Sequence, residues 1–202
     1  MKMEEIEYNV RNELKPFVNC VWIGKNTSSK AHTSIPLYAD GYPGIMFQQA
    51  ENGFYLLPKG KELSQLFLYG QTIEPISLDV KGAYQFVVLQ LYPFASKYLL
   101  GVDPRVLNDD CFDLLDIDYI DVDGYKRKLL NSDNTEDQVE IILDLMTQLV
   151  ESHKVPENDR IQRAISIILR TNGQVKVKEL TEQAFITERT LERDFMSQVG
   201  LT

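Results

Sequence analysis

Between residues 17 and 92 the chain breaks into short apolar segments with no helix-length spacer between them, and this restricts the fold more than any other feature. The segments are FVNCVWI (17–23), GIMFQQ (44–49), FYLLP (54–58), QLFLYG (65–70), IEPISLD (73–79) and YQFVVLQLY (84–92). Turn signals separate them: Gly24-Lys25-Asn26, Glu51-Asn52-Gly53, Lys59-Gly60 and Lys81-Gly82. From the second segment onward the starts fall 8–11 residues apart, a spacing that favours an antiparallel sandwich or barrel. Parallel strands would require crossover connections of about a dozen residues or more. The last segment is rich in aromatic and β-branched residues and bounded by Gly82 and Pro93, which suits a buried strand.

After Pro93 the period changes. FASKYLLG (94–101) reads as a short helix stopped by Gly101, residues 103–123 are rich in aspartate, and YKRKLLNS (125–132) reads as another short helix. Thr135-Glu136-Asp137-Gln138 matches a capping box, with Thr135 as the N-cap. The helix it opens should run to Ser152. Its apolar residues include Val139, Ile142, Met146 and Leu149, a stripe wider than one docking face requires. This stripe is either the seam of a homodimer or a surface covered by the chain's own β-domain. Ser152 to Asn158, with Lys154 and Pro156, reads as an exposed linker. Ile161, Ala164, Ile165, Ile168 and Leu169 then form a helical core stripe ended by Asn172-Gly173.

The final segment, QVKVKELTEQAFITERTLERDFMSQVGLT, places Val177, Leu180, Thr181 and Ala184 on one short helix. Phe185-Ile186-Thr187 makes the break, with Thr187 able to cap a second helix. There Leu191, Phe195 and Val199 recur at i, i+4 and i+8. Two short helices joined by a tight turn form the helix-turn-helix pattern, in which the second helix enters the DNA major groove. Arg189 and Arg193 stand four apart on the face away from Leu191 and Phe195. They suit base or phosphate contacts, against the simpler explanation of surface ion pairs with Glu188, Glu192 or Asp194. Lys176 and Lys178 begin the first helix, where a phosphate is favoured.

This segment resembles the first helix-turn-helix of the AraC family of bacterial transcription regulators, at Val175, Leu180, Thr187, Arg189, Leu191, Arg193, Phe195 and Gly200. It departs at Phe185, where the family has glycine or another small residue, and at Thr181, where it has alanine. The resemblance implies base-reading at Arg189, Glu192 and Arg193. LKPFVNCVWIG, IPLYADGYPGIMFQ and QFVVLQLYPFASKYLLG are similar to the β-rich sensor domain of a subset of these regulators. The motif Pro-Asp-Gly-x-x-x-Leu-Ile-Phe of that subset stands here as Tyr38-Ala39-Asp40-Gly41-Tyr42-Pro43-Gly44-Ile45-Met46-Phe47. AraC-type DNA-binding regions carry two helix-turn-helix units, and the second is not within these residues.

The net charge of −9 does not exclude DNA, because residues 158–202 hold seven basic and six acidic side chains and residues 1–157 carry a net −10. Enzyme classes fit poorly. Only His32 and His153 are available to a metal or a catalytic triad, no Gly-x-Ser-x-Gly elbow occurs, and the aspartates of 103–123 miss the calcium-loop spacing. Cys20 and Cys111 make no CxxC and read as reduced thiols. Trp22 and tyrosines 38, 42, 55, 69, 84 and 92 either line a ligand cavity or fill the core. MKMEEIEYNV has no apolar stretch of a signal peptide, and no membrane span is present.

The expectation is an α+β protein: an antiparallel β-barrel or sandwich sensor domain over 1–118, a helical connector over 119–155 with a possible homodimer through 135–152, and a helix-turn-helix unit over 156–202. Expected partners are DNA, through Lys176, Lys178, Thr187, Arg189, Glu192 and Arg193, and a small-molecule effector. No cofactor, metal or catalytic residue is expected, and the location is cytoplasmic. The competing reading is a small-molecule- or protein-binding module whose helix-turn-helix does not bind DNA by itself.

Overall fold

The computed structural model describes residues 2–6, 8–152 and 159–201. The described strands are β1 (Lys2–Ile6), β2 (Val18–Asn26), β3 (His32–Leu37), β4 (Gly44–Ala50), β5 (Phe54–Leu57), β6 (Lys61–Leu63), β7 (Leu66–Tyr69), β8 (Ile76–Lys81), β9 (Tyr84–Leu91) and β10 (Cys111–Asp113). They form two antiparallel sheets, a six-stranded one in the order β1-β2-β9-β4-β7-β10 and a four-stranded one in the order β3-β8-β5-β6. The helices are α1 (Ala95–Leu100), α2 (Val122–Leu130), α3 (Thr135–Ser152), α4 (Asp159–Arg170), α5 (Val177–Ala184) and α6 (Glu188–Gln198). The class is α+β, as expected.

The larger sheet is buried on both faces, which explains the nearly continuous apolar run of β9. Tyr84, Phe86 and Val88 point between the sheets to meet Phe54, Leu56 and Leu78. Val87, Leu89 and Leu91 point the other way, into a second core with Val139, Ile142 and Met146 of α3. Gly24 is required by the inner core: a Cβ there would lie 2.2 Å from the ring of Phe86.

The wide stripe of α3 is therefore used inside the chain. Val139, Ile142, Leu143, Leu145, Met146 and Leu149 are all fully buried against the sheet and α1. Arg11 covers part of the polar row, with Nη1 2.7 Å from Asp144 Oδ1. Of the two alternatives for this stripe, a homodimer seam or a surface covered by the chain's own β-domain, these residues take the second. The cap of α3 also differs: Asn134 Oδ1 accepts the Glu136 N–H at 2.9 Å. Gln138 turns back to donate to the Ser132 carbonyl at 2.8 Å, so Thr135 and Gln138 form no capping box. The linker expected at Ser152 to Asn158 lies, from residue 153 on, outside the described residues.

The aspartates of 103–123 act as local caps. Asp103, Asp113 and Asp121 accept the N–H groups of Arg105, Leu115 and Gly124 at 2.9–3.0 Å. Asp109 Oδ1 accepts from Ile73 and Glu74 at 2.7 and 3.1 Å. Asp103 opens a 3-10 turn at Pro104–Leu107, the segment on which α6 rests.

α4 joins the two halves of the molecule. Ile161 and Ile165 pack on Phe94 and Tyr98 of the sandwich side, together with Val199. Ala164 and Ile167 pack on Leu180, Ala184 and Leu191. The core stripe thus takes Ile167 where Leu169 was expected; Leu169 is 36% exposed.

Candidate functional site

Helices α5 and α6 make a helix-turn-helix whose inner face is small. Leu180, Ala184 and Leu191 are buried on α4, while Val177, expected on that face, is half exposed. Phe185 ends α5 in the left-handed region at φ 57°, the conformation that favours glycine. Its N–H donates to the Glu182 carbonyl at 3.3 Å. Its ring is 83% exposed and lies under the Arg163 guanidinium, 5.8 Å from the ring centre. The larger residue at the turn thus keeps the geometry and pays for it with an exposed ring and a strained backbone.

Thr187 opens α6, with Oγ1 accepting the Thr190 N–H at 3.2 Å, so its hydroxyl is committed to the cap. Arg189, Glu192 and Arg193 are all exposed on the outer face of α6. Among the described residues no ion pair joins Arg189 to Glu188 or Glu192. Arg193 does pair, with Nη2 3.2 Å from Asp194 Oδ1, yet its side chain stays 68% exposed. Asp194 is buried beneath it and also meets Arg160 Nη2 of α4 at 3.4 Å. Sequence reasoning treated Asp194 as a surface partner; it is the charged tie between α6 and α4. Lys176 and Lys178 are exposed at the start of α5, and Glu179 Oε2 accepts the Lys176 N–H at 3.3 Å.

The outer face of α6 is not equally open along its length. Arg193, Met196 and Ser197 share a cleft with Lys97, Asp103 and Arg105 of the sandwich side. Beyond the helix, Asn108 Nδ2 donates to the Gly200 carbonyl at 3.2 Å. Gly200, at φ 86°, lies so close to the Pro104 turn that a Cβ would come within 2.9 Å of the Pro104 backbone.

A second candidate site lies between the sheets, a cavity of about 320 Å³. Strand register builds it in rungs, since directly opposed residues share a face. One rung crosses the large sheet as Cys20, Gln90, Gly44, Tyr69 and Cys111. The next, Trp22, Val88, Met46 and Phe67, is apolar and lines the wall. Gly44 leaves room for the Tyr69 hydroxyl, which a Cβ would approach to 2.4 Å. At the rim Asp40 Oδ1 accepts the Tyr42 N–H at 3.0 Å, and Oδ2 accepts from Gln90 Nε2 at 2.8 Å. Burial pushes the Asp40 carboxyl and the Tyr69 hydroxyl up from their ordinary values. It also pushes the Cys111 thiol up to about 12. Of the aromatic residues considered as cavity lining, Trp22, Tyr38, Tyr42 and Tyr69 line it; Tyr84 is core and stacks on Phe86. Asp40 and Gln90 were missed as lining residues, although Asp40 stood in a recognisable motif, because nothing local in a sequence announces which turn overhangs a cavity.

Among the described residues no group of three or more His, Cys, Asp or Glu side chains is placed to hold a metal ion. No described helix is long and apolar enough to cross a membrane.

The family model for a domain of unknown function, DUF6597, matches residues 6–113. Among solved structures, ToxT from Vibrio cholerae O395 is similar over 93% of this chain and 76% of its own, at 8% identity and a TM-score of 0.45. The AraC-like transcriptional activator CuxR is similar over 96% of this chain and 79% of its own, at 12% identity and a TM-score of 0.36. No curated protein sequence matches the chain.

Proposed function

The chain belongs to the DUF6597 domain family, and from that premise we propose that it is a cytoplasmic transcription regulator of the AraC type, in which a β-sandwich sensor governs a helix-turn-helix that reads DNA. The division of labour is a sensor over 1–118, a helical connector over 119–155 and a DNA-binding unit over 156–202. A small-molecule effector occupies the cavity between the sheets. Arg189, Glu192 and Arg193 meet base edges or phosphates, and Lys176, Lys178 and the Thr187 turn meet the backbone of the duplex.

The observation that carries this reading is the pairing of an inner and an outer face on α6. Leu191 is buried on α4, while Arg189 and Arg193 project outward. An exposed arginine in the first turn of the second helix, joined to neither Glu188 nor Glu192 among the described residues, suits bidentate readout of guanine. One observation favours the competing reading, a sensor whose helix-turn-helix only packs. Arg193 shares its cleft with Asp103 and Arg105, so in this arrangement the C-terminal half of α6 faces the sandwich.

Titration of binding to a random-sequence duplex with salt distinguishes the two. A DNA reader loses affinity steeply as salt rises, because each phosphate contact releases a counterion. Absence of binding at low salt, with the fold intact, would favour the packing-only reading.

A further inference from the structure

The side chains around the inter-sheet cavity restrict the chemistry of its occupant. Among the described lining residues Asp40 is the one formal charge, and no lysine, arginine or histidine joins it. The nearby lysines are engaged elsewhere: Lys59 Nζ lies 3.2 Å from Asp110 Oδ2, and Lys61 pairs with the same carboxylate. Two nitrogen donors of the lining are also taken. Gln90 Nε2 donates to Asp40, and the Trp22 indole N–H donates to Cys20 Sγ at 3.1 Å. What remains for a ligand is the Asp40 carboxylate at the rim, the uncharged hydroxyls of Tyr42, Tyr69 and Thr72, which donate or accept and so favour no charge, and the aromatic side chains of Trp22, Tyr42 and Tyr69 above the apolar wall of Val88, Met46 and Phe67.

We propose that the cavity selects an organic cation: an ammonium group held against the Asp40 carboxylate and the neighbouring ring faces, on an apolar or aromatic body seated between the sheets. A cation over aromatic faces gains from the ring quadrupole, more so where water is excluded. A carboxylate ligand would instead face Asp40 with no counter-charge, and a polyol would leave the apolar wall uncovered. The inference rests on the reading of the cavity as the effector site.

Trp22 is the single tryptophan of the chain, so its emission reports occupancy directly. The test titrates the full chain with 2-phenylethylamine, 2-phenylethanol and phenylacetate at neutral pH, following Trp22 fluorescence and heat release. The amine should bind roughly tenfold or more tightly than the alcohol, and the acid should bind worst. Asp40→Asn should abolish the preference for the amine and leave the alcohol unchanged. An alcohol that binds as tightly as the amine, or an acid that binds best, overturns the cation class and leaves the effector site standing. If none of the three perturbs Trp22 or releases heat up to roughly 10 mM, where ligands of this size should register, the effector site itself falls. The ranking in the unaltered chain decides the matter even if the variant folds poorly.

Discussion

Phe185 shows at one position how this chain departs from the pattern it resembles. A residue with a Cβ at φ 57° costs about 1–2 kcal/mol relative to a right-handed conformation. The contact with Arg163 returns about 0.5–1 kcal/mol at an exposed site. Phe185→Gly should therefore stabilise the chain slightly, by about 0.5–1 kcal/mol, read as a small rise in the midpoint of chemical unfolding. A marked loss of stability would show that the ring is a packing element. Cys111 supplies a second test. Burial lifts its thiol to about 12, so the native group stays protonated where an unfolded thiol ionises, near 8.5. The sign follows: above the unfolded value the unfolded state gives up its proton first, and the contribution of this group to stability declines as pH rises toward 12. At pH 8 the thiolate is the reactive form, so iodoacetamide should modify Cys111 slowly in the native chain and rapidly in urea, as measured by mass spectrometry of the peptide. Equal rates in both states would contradict the raised value of the native thiol.

The strands that sequence patterning missed are β1, β3, β6 and β10, and these are the four edges of the two sheets. An edge need not bury both faces, and charge or proline on it discourages pairing with other chains. KMEEI carries three charges in five residues, β3 contains Pro36, and β10 sits among aspartates. Such strands have no apolar alternation to read. The central strands β4 and β9, buried on both sides, were legible to within a residue or two. Helix α3 was legible in extent but not in role, because a wide stripe looks the same whether a twin helix or the chain's own sheet covers it. The site divided likewise: the outer face of α6 followed from local spacing, whereas the overhang of Asp40 on the cavity depends on contacts between distant segments. Two substitutions test the helix assignments by urea denaturation. Val139→Asp places a charge in a fully buried position and should prevent folding of the sandwich altogether, rather than release a folded monomer. Leu191→Ala should cost about 2–5 kcal/mol and loosen α5 and α6, leaving the inter-sheet core intact. A folded Val139→Asp variant, or a Leu191→Ala variant as stable as the parent chain, would contradict the packing described for α3 and α6.

At the scale of the whole molecule, α4 shares one face with α1 and the other with α5 and α6. Gly200 and the Pro104 turn close the contact from the far end. The sandwich and the helix-turn-helix are thus mechanically continuous, and under the proposed function this gives an effector in the sandwich a physical route to α6. Gly200→Val demands a left-handed conformation of a β-branched residue and collides with the Pro104 backbone. It should separate the helix-turn-helix from the sandwich, seen as faster hydrogen exchange in α6 and unchanged exchange in β9. Unchanged exchange in both would show that this contact does not hold α6. The central claim remains that α6 reads sequence through its first turns. Selection of binding sites from a random duplex pool, carried out with the full chain and with Arg189→Ala, tests it most directly. The account predicts that the parent chain enriches a defined motif and that Arg189→Ala loses preference at one base pair, at a cost of about 1–3 kcal/mol, with its fold unchanged. Enrichment of the same motif with equal strength by both proteins would contradict it.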